Sequence, residues 1–211
     1  HAHARLGEID SGVARALDGV LGIYTAAEVD AAGLGTLPCA GPVKNRDGSP
    51  MFVPVRPLLA KDRVHYVGEP VAMVVAETLA QAKDAAEAIE VDYQPLPAVA
   101  DTAGAAVPGA PTIWDEAPGN IAYRWHLGDE DAAAAAFSAA RHVVTVDLVN
   151  NRVVSNPMEP RNALAVFEGG RYTLTCANQG GHHLKETLTN VVPGVAQDDI
   201  RVVTPDVGGG F

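Results

Sequence analysis

Three short stretches carry residue types that can do chemistry. The first is Cys176-Ala177-Asn178-Gln179-Gly180-Gly181-His182-His183. Gln179 presents a donor and an acceptor on one uncharged group, so it can hold a polar ligand without titrating. The second is Val207-Gly208-Gly209-Gly210-Phe211. Consecutive glycines serve a turn or bulge, or let the backbone approach a ligand closely with N–H groups that suit an anionic partner. Neither GxGxxG nor a Gly-rich loop ending in Lys-Ser/Thr occurs, so the familiar nucleotide-phosphate patterns do not fit. The third is Asn156-Pro157-Met158-Glu159-Pro160-Arg161. Its prolines force an extended path. Glu159 and Arg161 then share a strand face, where an ion pair between them is the structural expectation. His182 and His183 are adjacent and diverge by about 100° on a helix, so they converge poorly on one ion. Only Glu186 stands at a matching spacing, and no metal ligand set is expected.

These residues need elements to position them. Gln179 follows an alternating run, Arg171 to Cys176, and precedes a helical pattern from Gly180 to Asn190 with Leu184 and Leu188 four apart. Carboxyl ends of strands in mixed α/β folds are common ligand positions. Asn162 to Phe167 and Arg171 to Cys176 flank Glu168-Gly169-Gly170, which reads as a hairpin. Ile200 to Val203 is a short strand running into the glycines. Upstream, Asp129 opens an alanine-rich helix to Ala140, and His142 to Val149 alternates as a strand. Residues 94–119 hold Pro95, Pro97, Pro108 and Pro111 among alanine and glycine, and form the best linker candidate.

In the first half, His1 to Leu6 resembles the end of a strand. Asp10 and Ser11 can cap a short helix to Ala16, and Val20 to Thr25 reads as a strand. Residues 31–57 read as a long ordered loop. Val64 to Ala76 is the clearest strand region, and the run Val71 to Ala76 is expected to be covered on both faces. Thr78 caps a helix with Leu79, Ala82, Ala86 and Ile89 inside, and Ile89 to Tyr93 closes a strand–helix–strand unit.

The formal net charge of -11 argues against a general nucleic-acid binder, which needs a basic face. Cys39 and Cys176 stand far apart, with no CxxC pair, and read as reduced thiols, one of them buried. No apolar run is long enough to span a bilayer, and the cytoplasm is the default expectation.

Taken in order, "HAHAR", "YVGEPVAMVVAET", "AIEVDYQPLPAV", "NPMEPRNALAVFE", "ANQGGHH" and "IRVVTPDVGGGF" resemble the large subunit of the molybdenum hydroxylases. This is the family of xanthine dehydrogenase, aldehyde oxidase and aerobic carbon monoxide dehydrogenase, and the likeness spans nearly the whole chain. The resemblance implies an α+β fold cut within folded elements at both ends. Residues 1–105 would be an α/β hammerhead domain, 106–119 a Pro-rich linker, and 120–211 the beginning of a molybdopterin-binding domain. It implies that Gln179 hydrogen-bonds an oxo ligand of molybdenum. It also implies that Gly209, Gly210 and Phe211 contact the cofactor, with Phe211 bordering the substrate pocket.

The implied cofactor is molybdenum-molybdopterin, which needs residues beyond Phe211. The implied partners are iron–sulfur and FAD (flavin) subunits or domains in a hetero-oligomer. The implied reaction oxidises or hydroxylates an aldehyde, an N-heterocycle or carbon monoxide, with oxygen from water. The general-base glutamate of the family lies beyond this chain, Glu159 falls in a different motif, and neither cysteine matches the copper-binding position of the carbon monoxide branch. Residues 1–211 alone are therefore expected to be inactive. Two other readings stand beside this one. One is a non-catalytic scaffold or assembly module that kept the hammerhead domain. The other is an unrelated nucleotide-binding protein, against which the lack of Lys or Ser/Thr beside the glycines counts.

Overall fold

A computed structural model describes residues 1–39, 41–150 and 153–209. In chain order its elements are β1 (Ala4–Asp10), α1 (Gly12–Arg15), β2 (Val20–Tyr24), α2 (Ala26–Ala31), β3 (Arg63–Val64), β4 (Met73–Ala76), α3 (Leu79–Glu87), β5 (Glu90–Pro95), α4 (Thr102–Ala105), α5 (Glu130–Ala139), β6 (Leu164–Glu168), β7 (Arg171–Thr175), α6 (Gly181–Val191) and β8 (Ile200–Val203). Helices and sheets of mixed pairing make this an α+β chain.

The alternating start is a full strand. β1 lies between β3 and β5, antiparallel to both. Its inward residues bury Ala4 with Ala60 and Val64, and Leu6, Val71 and Tyr93 pack around them. A second cluster gathers Ala14, Ile23 and Ala85 from α1, β2 and α3. α2 begins at a capping box: the Glu28 carboxylate accepts the Thr25 N–H at 2.7 Å and the Thr25 hydroxyl at 2.7 Å. Those bonds, with Arg15 nearby, hold the Glu28 carboxyl below its ordinary value.

Several expectations for this half are corrected. The region Val64 to Ala76, which Gly68 and Pro70 interrupt, holds the end of β3 and all of β4, and β4 pairs only with β2. Met73 and Val75 are exposed, so the apolar run is not covered on both faces. α3 buries Ala85 while Leu79 and Ala86 face solvent. The small Ala85 lets the helix sit closely on Ala14 and Ile23, which rotates the packing stripe away from Leu79. β4 and β5 belong to different sheets, so the strand–helix–strand segment bridges two sheets.

The proline-rich stretch is hydrogen-bonded at defined points. Asp101 caps α4 by accepting the Gly104 N–H at 2.6 Å. Asn120 sits at φ +56°, a conformation its short amide tolerates. It accepts the Ile113 N–H at 3.0 Å and donates to the carbonyls of Ala105 at 2.8 Å and Pro111 at 2.9 Å. Just beyond, residues of the long loop grip the chain. Arg46 N–H donates to Arg124 O at 2.8 Å, and Phe52 N–H to Ala122 O at 2.8 Å. Arg124 N–H donates to Asn45 Oδ1 at 2.7 Å.

In the second half, α5 starts where expected, with Asp129 accepting the Ala132 N–H at 2.9 Å. The expected strand from His142 to Val149 joins no ladder among the described residues. Val144 and Leu148 are each 85% exposed. Its alternation is real, but no described strand lies alongside to take its hydrogen bonds. The hairpin of β6 and β7 is present, with Gly169 and Gly170 both at positive φ as a two-residue turn requires. β8 joins β7 in parallel, and α6 is the crossover between them. One face of this sheet (Ala165, Tyr172, Leu174, Ile200) lines an apolar cavity with Leu188 of α6 and Val192 just past its end.

Candidate functional site

A parallel pair joined by a helix leaves both loops at the same end of the sheet. The loop after β7 carries Gln179, and the loop after β8 carries Gly208 and Gly209. Two of the three stretches singled out in the sequence are thereby brought to one place. The ladder continues past the strands: Cys176 N–H donates to Val203 O at 3.2 Å. Asn178 then ties the two loops together, donating through Nδ2 to Thr204 Oγ1 at 2.5 Å. Its Oδ1 accepts the Gly180 N–H at 3.0 Å, which turns the chain into α6.

Gln179 is therefore held by its neighbour's bonds, not by its own. Its side chain is exposed, and among the described residues it makes no hydrogen bond. It lines a cleft of about 480 Å³ with Asn178, Gly180, His183, Leu184 and Thr187. α6 opens at Gly180 with no side-chain cap, so its first N–H groups keep their hydrogen-bonding capacity beside this cleft. An open carboxamide and free backbone donors fit the polar or oxo groups of a metal-bearing cofactor. The side chains lining this cleft include no Lys or Arg to clamp a phosphate.

The third stretch meets the second. Glu159 Oε2 accepts the Gly208 N–H at 2.7 Å, and the Glu159 N–H donates to Gly208 O at 3.4 Å. A Cβ on Gly208 would fall 3.0 Å from the Glu159 nitrogen and nearer still to its Cβ, so only glycine fits there. Gly209 has φ +143°, again glycine territory. The expected Glu159–Arg161 ion pair does not form; the carboxylate turns to the glycine loop instead. Gly210 and Phe211 lie outside the described residues. Sequence reasoning missed the Asn178 ties and the Glu159–Gly208 contact. The proline bracket around Glu159 was the available signal, since it fixes a backbone that must present something.

His183 Nδ1 lies 4.0 Å from Glu186, exposed on α6, and His182 does not join them. No group of three or more His, Cys, Asp or Glu among the described residues is placed to hold a metal ion. Cys176 is buried and Cys39 half-buried; neither is in a disulfide. No helix of the described residues is long and apolar enough to cross a membrane.

A second polar cluster lies apart, in the first half. His65 stacks on Trp114 with centroids 3.7 Å apart and on His3 at 5.9 Å. His3 is buried, with Nδ1 against the Pro97 carbonyl at 3.2 Å. Glu69 accepts the main-chain N–H of His65 at 2.5 Å. Its 3.4 Å approach to Nδ1 is electrostatic only, because that nitrogen makes no directed hydrogen bond. Burial pushes the His65 imidazole below its ordinary value, and Glu69 only partly offsets this.

Comparison with known proteins covers almost the whole chain. Residues 1–97 match the family described as "Aldehyde oxidase and xanthine dehydrogenase, a/b hammerhead domain". Residues 113–211 match "Molybdopterin cofactor-binding domain". The chain is 34% identical to the carbon monoxide dehydrogenase large chain of Afipia carboxidovorans, over 100% of this chain and 26% of that one. It is 36% identical to the nicotine 6-hydroxylase large subunit of Paenarthrobacter nicotinovorans, over 100% of this chain and 25% of the other. The crystal structure of a Cu,Mo-CO dehydrogenase in its carbon monoxide reduced state superposes with a TM-score of 0.84 at 32% identity. That match spans 100% of this chain and 27% of the other. The chain thus spans about a quarter of the length of the curated relatives it matches.

Proposed function

Because the chain belongs to the molybdenum hydroxylase large-subunit family, we propose that it supplies the hammerhead domain and the first wall of a molybdopterin site. The division is that of residues 1–105, a segment 106–119, and a cofactor-binding portion from 120. The observation that carries the reading is the convergence of the Gln179 loop and the Gly208–Gly209 loop at the carboxyl ends of adjacent parallel strands. Bound molybdenum-molybdopterin supplies two-electron oxidation of a small substrate with oxygen from water.

The chain's own residues bind and orient. Gln179 would hold an oxo group of the cofactor through its amide N–H while staying neutral, so its own hold would not vary with pH. By the family resemblance, Gly209 and Gly210 would offer backbone N–H groups to the cofactor, and Phe211 would border the substrate pocket. The acid–base step belongs to a glutamate outside residues 1–211, so these residues alone neither hold the cofactor nor turn over. Substrates fall in the class of aldehydes, N-heterocycles or carbon monoxide. Iron–sulfur and flavin (FAD) partners in a hetero-oligomer, in the cytoplasm, would take the electrons. The alternative, a scaffold or assembly module, has no observation that favours it over this one.

The test is Gln179→Ala in the polypeptide as its source makes it. Turnover is expected to fall on the order of a hundredfold, the scale of losing one aimed donor, while molybdenum content stays at the wild-type level. Unchanged turnover would remove Gln179 from the site.

A further inference from the structure

We infer that Glu159 is a positioning residue, a carboxylate strap that pins the Gly208 backbone on both sides of its Cα and so sets the path of the glycine loop beside the Gln179 loop. The inference rests on the proposed reading of that loop as a cofactor wall. Its geometric part stands alone.

Two hydrogen bonds bracket one residue, one on the peptide before its Cα and one on the peptide after it. The carboxylate accepts the Gly208 N–H at 2.7 Å, a charge-assisted bond, and the Glu159 main chain meets the Gly208 carbonyl at 3.4 Å. A single bond would leave Gly208 free to swing about it; two do not. The absence of a Cβ on Gly208 is what lets Glu159 come this close. The strap is itself stiff, since Glu159 precedes Pro160 and follows Pro157-Met158.

The loop is held at its other end by Asn178 on Thr204. Thr204 to Gly208 is therefore tied at both ends, once to the Gln179 loop and once to the proline-bracketed segment. The Gly208 N–H is spent on Glu159 and is not available to a ligand. Donors for the cofactor begin after it, where Gly209 at φ +143° redirects the chain. Glu159 touches no reacting atom in this scheme and acts only through the loop.

The experiment compares wild type, Glu159→Ala, Glu159→Gln and Gly208→Ala in the natural polypeptide. It reads Gly208 amide hydrogen exchange, molybdenum content, kcat and KM. In Glu159→Ala the Gly208 amide is expected to exchange at least about tenfold faster, as a locally opened bond does. Turnover should fall by roughly ten- to a hundredfold in kcat, with KM and metal content little changed, because the wall is misplaced and not removed. Glu159→Gln keeps an acceptor oxygen and should restore both exchange and kcat to within about threefold of wild type. Gly208→Ala should reproduce Glu159→Ala from the other side.

Wild-type exchange and kcat in Glu159→Ala would overturn the inference. So would a Glu159→Gln variant as impaired as Glu159→Ala, since charge and not the strap would then matter. If the wild-type polypeptide carries no molybdenum, the functional reading falls, and the exchange pattern alone decides the strap.

Discussion

Two alternating stretches, Ala4–Asp10 and residues 142–149, look alike as sequence and end in opposite states. The first is β1, paired on both edges, with Ala4 fully buried. The second joins no ladder among the described residues, and Val144, Val146 and Leu148 stand open to solvent. Period-2 alternation states which side chains share a face. It does not state that a neighbour exists to receive that face or the backbone groups on the edge. The contrast extends to the halves of the chain. The first half closes two buried clusters from its own elements. In the second, Cys176, Val191 and Ile200 are buried beside a long exposed apolar run.

The sharpest way to break this contrast is a pair of truncations. Ile23→Ala removes a side chain that is 1% exposed and should cost about 2–5 kcal/mol in denaturant unfolding of residues 1–211. Val146→Ala in the same chain should stay within about 0.5 kcal/mol. Equal effects would mean that the two stretches do not differ as described.

Asn120→Ala comes next. It removes three hydrogen bonds and places a Cβ-bearing residue without a helpful amide at φ +56°. A loss of about 1–3 kcal/mol is expected by the same measurement. A neutral result would mean that the proline-rich stretch is not organised around this side chain.

A third test uses pH. His65 faces Glu69, His3, Arg63 and the Trp114 ring, and burial lowers its folded value below the ordinary 6.5. Unfolded chain then binds the proton first. The contribution is fully present above 6.5 and is lost as pH falls from there toward the lowered folded value. Trp114 fluorescence should report the titration, and His65→Phe should remove that part of the acid dependence. A His65 imidazole titrating above 6.5 in NMR would reverse the sign.

The smallest effect is expected from Glu130→Gln. It breaks the exposed 2.7 Å pair with Arg46 between the long loop and α5. A loss of about 0–1 kcal/mol, reduced further by salt, is expected. A larger loss would mean that this pair and not the neighbouring backbone bonds joins the two halves.

Local signals in the sequence were largely reliable. Thr78 and Asp129 cap the helices they precede, and Gly169-Gly170 makes the turn its flanks require. The resemblance to molybdenum hydroxylase large subunits is borne out by the matches at 1–97 and 113–211. What escaped was long-range partner choice. Glu159 looked toward Arg161 because a local reading sees residues two apart. Its actual partner, Gly208, is 49 residues away. Asn178 was overlooked beside Gln179, although its bonds to Thr204 and Gly180 are what place Gln179. The buried stripe of α3 runs through Ala85 and not Leu79, because side-chain size, not only period, decides how closely a helix can sit.

The most direct measurement is the molybdenum and pterin content of the polypeptide that carries residues 1–211, purified from its source. Metal analysis and pterin fluorescence on one sample suffice. One molybdenum and one pterin per large subunit are expected. A pure polypeptide with neither would contradict the cofactor-site reading and leave the scaffold reading in its place.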